Sequence, residues 1–197
     1  MTILRSYNFK KNSLELNGDN VLLRPPQYSD WIDWSKVREV NKLYLQPWEP
    51  LWSPGELERS SFVKRVRMFE KFSTNDEAYS FLIFKNENVE FIGELNISNI
   101  QRGIIQSCSI GYWIAKKYEG LGMMSESLEL VKSFIFHQLK LHRIEAACLP
   151  HNSPSLKVLL KNGFKIEGTA RKLLKINNKW QDHTVFSYLY EDYKNLK

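Results

Sequence analysis

The sequence predicts an α+β protein: one mixed sheet of about seven strands, mostly antiparallel, with four helices. Three observations predict it. Segments 79–84, 90–97 and 104–114 read as strands joined by short polar turns at 85–88 and 99–103, the mark of an antiparallel meander. A long helix follows, because Met124, Leu128, Val131, Ile135 and Leu139 recur at helical spacing while Ser125, Glu126, Glu129 and Lys132 fall mainly on other faces. A second strand at 143–149 then leads into a second short helix.

In chain order, residues 1–17 are polar and unpatterned and read as a loose N-terminal lead to a single domain spanning 1–197. Val21, Leu22, Leu23 and Arg24 make the first strand, stopped by Pro25 and Pro26. Ser29 and Asp30 offer a helix start, and Trp31, Trp34, Val37 and Val40 continue it. Segment 43–55 holds three prolines and two tryptophans, which excludes a regular helix or a central strand. Trp48 and Trp52 read there either as plugs beneath a loop or as substrate contacts. From 56 to 72 a basic amphipathic helix fits, with Phe62, Val66 and Phe69 on one side. Its pattern suits an ordinary surface helix better than a membrane-bound one. The last two strands, 164–170 and 184–189, flank a turn at Asn177 and Asn178.

The chain is organised around 110–124, which runs strand, charged turn, glycine pair, helix. Gly120 and Gly122 stand immediately before the first helical turn. The first amides of a helix have no internal partner and carry roughly half a positive charge, so such an end attracts phosphate. Lys116 and Lys117 add charge nearby. Taken alone, the glycine pair serves equally as a simple turn. Beyond it, Ser153 followed by Pro154 fits an N-cap with proline at the first helical position, and Gly163 fits the residue past a helix end.

Lys117-Tyr118-Glu119-Gly120-Leu121-Gly122, with Asn152, Ser155 and Asn162-Gly163-Phe164, resembles the cofactor region of the GNAT superfamily of N-acetyltransferases. The first loop position departs from that pattern, being Lys where the family carries Gln or Arg. Leu45-Gln46-Pro47-Trp48-Glu49-Pro50, Ile92-Gly93, Asn96-Ile97-Ser98-Asn99, Arg102-Gly103, Leu141-His142-Arg143-Ile144, Pro150-His151-Asn152 and Trp180-Gln181-Asp182-His183 narrow the resemblance to RimJ-type ribosomal-protein-alanine N-acetyltransferases.

The resemblance implies a sheet splayed between its fourth and fifth strands, acetyl-CoA as cofactor and CoA as product. It implies cofactor contacts from Tyr112, Trp113, Ile114, Lys117, Glu119, Gly120, Leu121, Gly122, Met123, Met124, Asn152 and Ser155, with a main-chain N–H from 112–114 on the thioester carbonyl. Ser155 matches a serine that acts as general acid in related enzymes; capping or a hydrogen bond to the cofactor arm is the plainer reading of the same residue. Leu174 stands where RimL-type enzymes carry a glutamate base, so that role does not carry over. Glu94 and His151 remain as weak base candidates. Trp48 and Glu49 fall in the segment that forms the acceptor side in this superfamily.

The implied reaction is direct attack by the N-terminal α-amine of a protein, a small-subunit ribosomal protein beginning with Ala or Ser. Two other readings stay open: a small amine as acceptor (polyamine, amino acid or antibiotic), and a basic ribosome-assembly factor that binds ribosomal RNA. The quaternary state reads as monomer or homodimer.

Length and composition bound these readings. At 197 residues and 43% hydrophobic, the chain suffices for one good core. The start turns polar at once, and no apolar run reaches the 20 or so residues a membrane helix needs, so the expectation is a cytoplasmic protein without membrane contact. A net charge of +6 suits a phosphate-rich cofactor and would suit ribosomal RNA. Cys108 and Cys148 lie in predicted strands as buried thiols. The four histidines show no ligand spacing, so no metal is expected.

Overall fold

The structure, a computed structural model, describes residues 14–195. Most of the expected lead, 1–13, lies outside them. Eight strands form one sheet, in the order β1-β2-β3-β4-β5-β6-β8-β7. They are β1 (Leu16–Asn17), β2 (Val21–Arg24), β3 (Tyr79–Lys85), β4 (Glu90–Gln101), β5 (Ser107–Ile114), β6 (Arg143–Cys148), β7 (Lys165–Ile176) and β8 (Lys179–Leu189). Helices α1 (Trp31–Val40), α2 (Lys42–Leu45), α3 (Arg59–Thr74), α4 (Met123–His137), α5 (Ser153–Lys161) and α6 (Tyr190–Lys194) complete the fold.

Alternation along the strands sorts two cores onto the two faces of the sheet. One face sends Leu23, Phe81, Ile83, Leu95, Ile97, Ile144 and Phe186 against α4, whose Leu128, Val131, Phe134 and Ile135 are all buried. The other sends Leu82, Phe84 and Phe91 against Trp34 of α1 and Phe62 and Val66 of α3.

Several boundaries differ from the sequence reading. Leu16 and Asn17 pair with Leu23 and Leu22 as β1, and Leu16 is fully buried, so the lead ends earlier than residue 17. Two residues are too few for a period to show. Leu16→Ala is expected to cost about 2–5 kcal/mol, read as a lowered urea midpoint; a loss under a few tenths would show that the strand is ornamental. Ile104 and Ile105 sit in a turn, and β5 starts only at Ser107. Segment 43–55 is not wholly irregular, since α2 ends within it and a 3-10 turn covers Gln46–Trp48. Asn152 is the N-cap of α5, not Ser153, and its side chain accepts the Ser155 amide.

The key feature is between β5 and β6. The two strands run parallel and pair from Ser107↔Arg143 to Ile110↔Ala146, and there the pairing stops. Gly111–Ile114 continue along β4 alone. In this numbering the expected splay between fourth and fifth strands is the β5/β6 split, shifted by one because β1 exists.

Candidate active site

The split opens into a cleft of about 1050 Å³. Its walls come from β5, β6, the glycine loop, the start of α5, the 43–50 segment and the β7–β8 hairpin. The amide of Ala115 donates to the Ile92 carbonyl at 2.8 Å, which fixes the phase of the β4–β5 ladder. Groups alternate in an antiparallel pair, so the main-chain N–H and C=O of Tyr112 and Ile114 point away from β4. With β6 gone, they face the cleft.

Gly120 and Gly122 line the cleft with φ of +77° and +83°, and a Cβ built on either meets nothing within 4 Å. Gly122 is the N-cap residue of α4. The result is a cradle of unpartnered first-turn amides with open space above them, the shape that a diphosphate needs.

Other expected cofactor residues divide. Glu119 and Met124 line the cleft, and Tyr44 donates to Glu119 at 3.3 Å; burial first, then that carboxylate, push the Tyr44 phenol up to about 12. Met123 is buried in the main core and Leu121 points to solvent, neither lining the cleft. Lys117 is also outside it: its ammonium pairs with Glu90, which accepts from the Tyr118 hydroxyl as well. These two donors draw the Glu90 carboxyl down to about 2. The Lys117 charge serves to anchor the turn before the glycine loop.

At the opposite wall, Asn152 Oδ1 accepts the Ser155 amide at 3.2 Å, so the cap is made by Asn152 and the Ser155 hydroxyl is not needed for it. That hydroxyl lies 3.0 Å from the Tyr112 hydroxyl. Burial pushes the Tyr112 phenol far above its ordinary value, which keeps its proton in place. Cys148 also lines this wall; burial raises its thiol, and the Ser155 hydroxyl partly offsets the rise. Tyr112, Ser155 and Cys148 together form a neutral, proton-bearing corner.

The acceptor-side residues are tied more tightly than the sequence indicates. Both Glu49 oxygens are engaged by the Arg38 guanidinium, and Trp52 Nε1 donates to Oε2 at 2.8 Å. Arg38 in turn lies over the Trp52 ring at 4.4 Å and the Trp113 ring at 5.2 Å. Glu49 is therefore a fixed cleft wall, not a loose anion. Its carbonyl accepts the Asn177 amide at 2.9 Å, joining the loop to the β7–β8 turn. Trp48 lines the cleft and packs on the exposed His151 ring at 5.5 Å.

Glu94 is 1% exposed and pairs with Arg65. Burial alone would raise its carboxyl, but Arg65, the Asn96 amide and Arg38 outweigh this and hold it low. A carboxylate sealed and neutralised in this way is a poor proton acceptor for an amine.

Among the cleft residues that the sequence reading gave no role are Asn96, Ile176 and His183. Asn96 donates to Glu94 Oε1 at 2.9 Å, which settles its orientation and leaves Oδ1 with no partner. Ile176 forms the floor near Leu174, and His183 is buried to 2% on β8. A signal for His183 exists in strand alternation, since it shares a face with Val185; the 180–183 stretch that carries part of the family resemblance contains it but assigns it no role.

A split parallel pair with outward amides, and a glycine cradle at a helix start, suit an extended phosphate-bearing ligand laid along β5, with a neutral proton-bearing corner beside it. Residues 20–165 match the Acetyltransferase (GNAT) domain family, and the chain belongs to that family. It is 33% identical over 181 residues to the [ribosomal protein uS5]-alanine N-acetyltransferase of Escherichia coli, covering 91% of this chain and 93% of that one. The Vibrio fischeri ribosomal-protein-S5-alanine acetyltransferase superimposes with a TM-score of 0.85 at 29% identity, over 91% and 98% of the two chains. Mycobacterium smegmatis RimJ in complex with CoA-disulfide gives 0.83 at 31%, over 87% and 83%. The protein is an acetyltransferase, and acetyl-CoA is its acetyl donor.

Proposed function

We propose that residues 1–197 act as one domain that acetylates the N-terminal α-amine of a protein, a small-subunit ribosomal protein beginning with Ala or Ser, in the cytoplasm. The observation that carries this reading is the acceptor side of the cleft: a rigid loop, Trp48–Glu49, bridged to the β7–β8 hairpin, in a chain a third identical over nine-tenths of its length to an enzyme named for the uS5 alanine. Glu49 is neutralised by Arg38, so the cleft offers no free acidic ring of the kind that a polyamine would select.

Acetyl-CoA supplies the activated acetyl group when bound. Gly120, Gly122 and the α4 N-terminus would hold its diphosphate, and the outward amides of Tyr112 and Ile114 would hold the arm and the thioester carbonyl. The Ser155 and Tyr112 hydroxyls hold a proton for the leaving thiolate, and Asn152 fixes Ser155 by capping its amide. Cys148 keeps its proton, which agrees with direct attack by the amine.

Turnover against a panel tests the acceptor: peptides beginning with Ala or Ser from ribosomal proteins, spermidine and free amino acids. Peptide-selective turnover is expected, and turnover confined to small amines would overturn it. Ser155→Ala is expected to lower kcat about 10- to 100-fold with little change in KM for acetyl-CoA and in melting temperature, since the α5 cap survives. A drop in melting temperature with unchanged kcat would make the hydroxyl structural.

A further inference from the structure

We propose that His183 is the proton acceptor for the incoming amine. The inference rests on the acetyl-transfer reading of the cleft but not on which amine is used. His183 Nδ1 lies 3.0 Å from the Gln181 carbonyl oxygen. A carbonyl only accepts, so Nδ1 carries a proton, and in the neutral ring Nε2 keeps its lone pair. Nε2 takes no hydrogen bond from the described residues, and the side chain lines the cleft. The strand thus presents a buried imidazole with its tautomer set by its own backbone.

Placement agrees with the role. Register carries one sheet face across the split: Glu94 opposite Trp113 on β4 and β5, Ser109 opposite Glu145 on β5 and β6, and Ala147 opposite Val185 on β6 and β8. His183, two residues before Val185, stands on that same face. This is the face that also carries Asn96, with its unpartnered Oδ1 turned to no protein donor. The Trp48–Glu49 loop closes over it through the Glu49–Asn177 bond. Tyr112 and Ser155 stand on the other face with α5, so proton uptake and proton delivery are separated by the split.

Titratable groups that share the cleft lining with His183 include Glu49 on the loop, Lys175 on β7 and Cys148 on β6; Asp182 is its chain neighbour on β8, and the sealed Glu94 stands on the same sheet face. Glu49 is held by Arg38, and Asp182 Oδ1 accepts the Lys172 amide at 2.9 Å. Among them, His183 is the buried cleft residue with a free lone pair. The step balances: an ammonium N–H bond breaks, its proton forms a new N–H bond at Nε2, and the neutral amine and an imidazolium remain.

The test has two readouts on the full chain. Nitrogen NMR of ¹⁵N-histidine-labelled protein, assigned with His183→Gln, is expected to show His183 protonated at Nδ1 with Nε2 bare. A proton on Nε2 would overturn the proposal without any assay. Separately, kcat/KM is followed against pH with whichever amine the wild type turns over. His183→Gln is expected to lose about 10²- to 10³-fold near neutral pH, to lose the acidic limb assigned to the imidazole, and to recover as the amine deprotonates by itself. His183→Ala with added imidazole is expected to regain part of the rate. Folding of both variants is checked by CoA binding; a folded variant that keeps the wild-type pH profile would overturn the assignment. Failure of the wild type to use peptides would change the acceptor and leave the His183 result readable.

Discussion

Gly122→Val is expected to weaken CoA binding at least about 100-fold while the protein still folds. A non-glycine residue at a φ of +83° costs about 1–2 kcal/mol of backbone strain, more when β-branched. In the free protein the new side chain meets nothing, so no clash adds to this. The larger effect falls on the ligand. A diphosphate must come within hydrogen-bond reach of the first amides of α4, each such charge-assisted bond contributing about 1.5–3 kcal/mol, and a valine side chain stands in that space. Gly103→Val is the control, because Gly103 has a φ of +68° and an empty surround but does not line the cleft. It should cost similar stability and leave CoA binding unchanged. Calorimetric titration of the two variants separates strain from obstruction; equal CoA affinities would dismiss the cradle.

Arg65→Ala is expected to be the most destabilising single change near the acceptor face, by about 3 kcal/mol, because it strands the buried Glu94 carboxylate without its main counter-charge. The pH dependence gives the sign. In the wild type the folded Glu94 carboxyl is held below its unfolded value, so its contribution is complete above about pH 4.3 and is lost as pH falls through the folded value. Without Arg65, only the Asn96 amide and Arg38 oppose the burial penalty, and the folded value is expected to rise above the unfolded one. The carboxylate then opposes folding at neutral pH and ceases to do so once protonated. The stability deficit, measured by urea unfolding, should therefore shrink between pH 7.5 and pH 5. A deficit constant across that range would mean that Arg65 acts through packing alone.

The legible part of this protein was local. The α4 stripe, the glycine pair and the turn at Asn177–Asn178 each declare themselves within a dozen residues, and all stand where expected. What sequence reading missed depends on partners far along the chain. Lys117 looks available until Glu90, on the neighbouring strand, takes its charge. Glu94 looks like a base until Arg65, one helix away, neutralises it. Ser155 looks like a capping residue until Asn152 takes the cap and Tyr112 comes up beside the hydroxyl. His183 and Asn96 become cleft residues only through strand register, and a bulge in β7 between Ala170 and Leu174 hides that register from any simple count. Strand β1 was invisible because its two residues derive their stability from Leu23 and the core beneath, not from a pattern of their own.

The most direct test of the central claim is where the acetyl group goes. A ribosomal-protein peptide beginning with Ala and containing an internal lysine is incubated with acetyl-CoA and the enzyme, and the product is sequenced by tandem mass spectrometry. The account predicts acetyl on the α-amine alone, and no product from the same peptide with its N-terminus blocked. Acetyl on the lysine, or equal turnover of the blocked peptide, would contradict it.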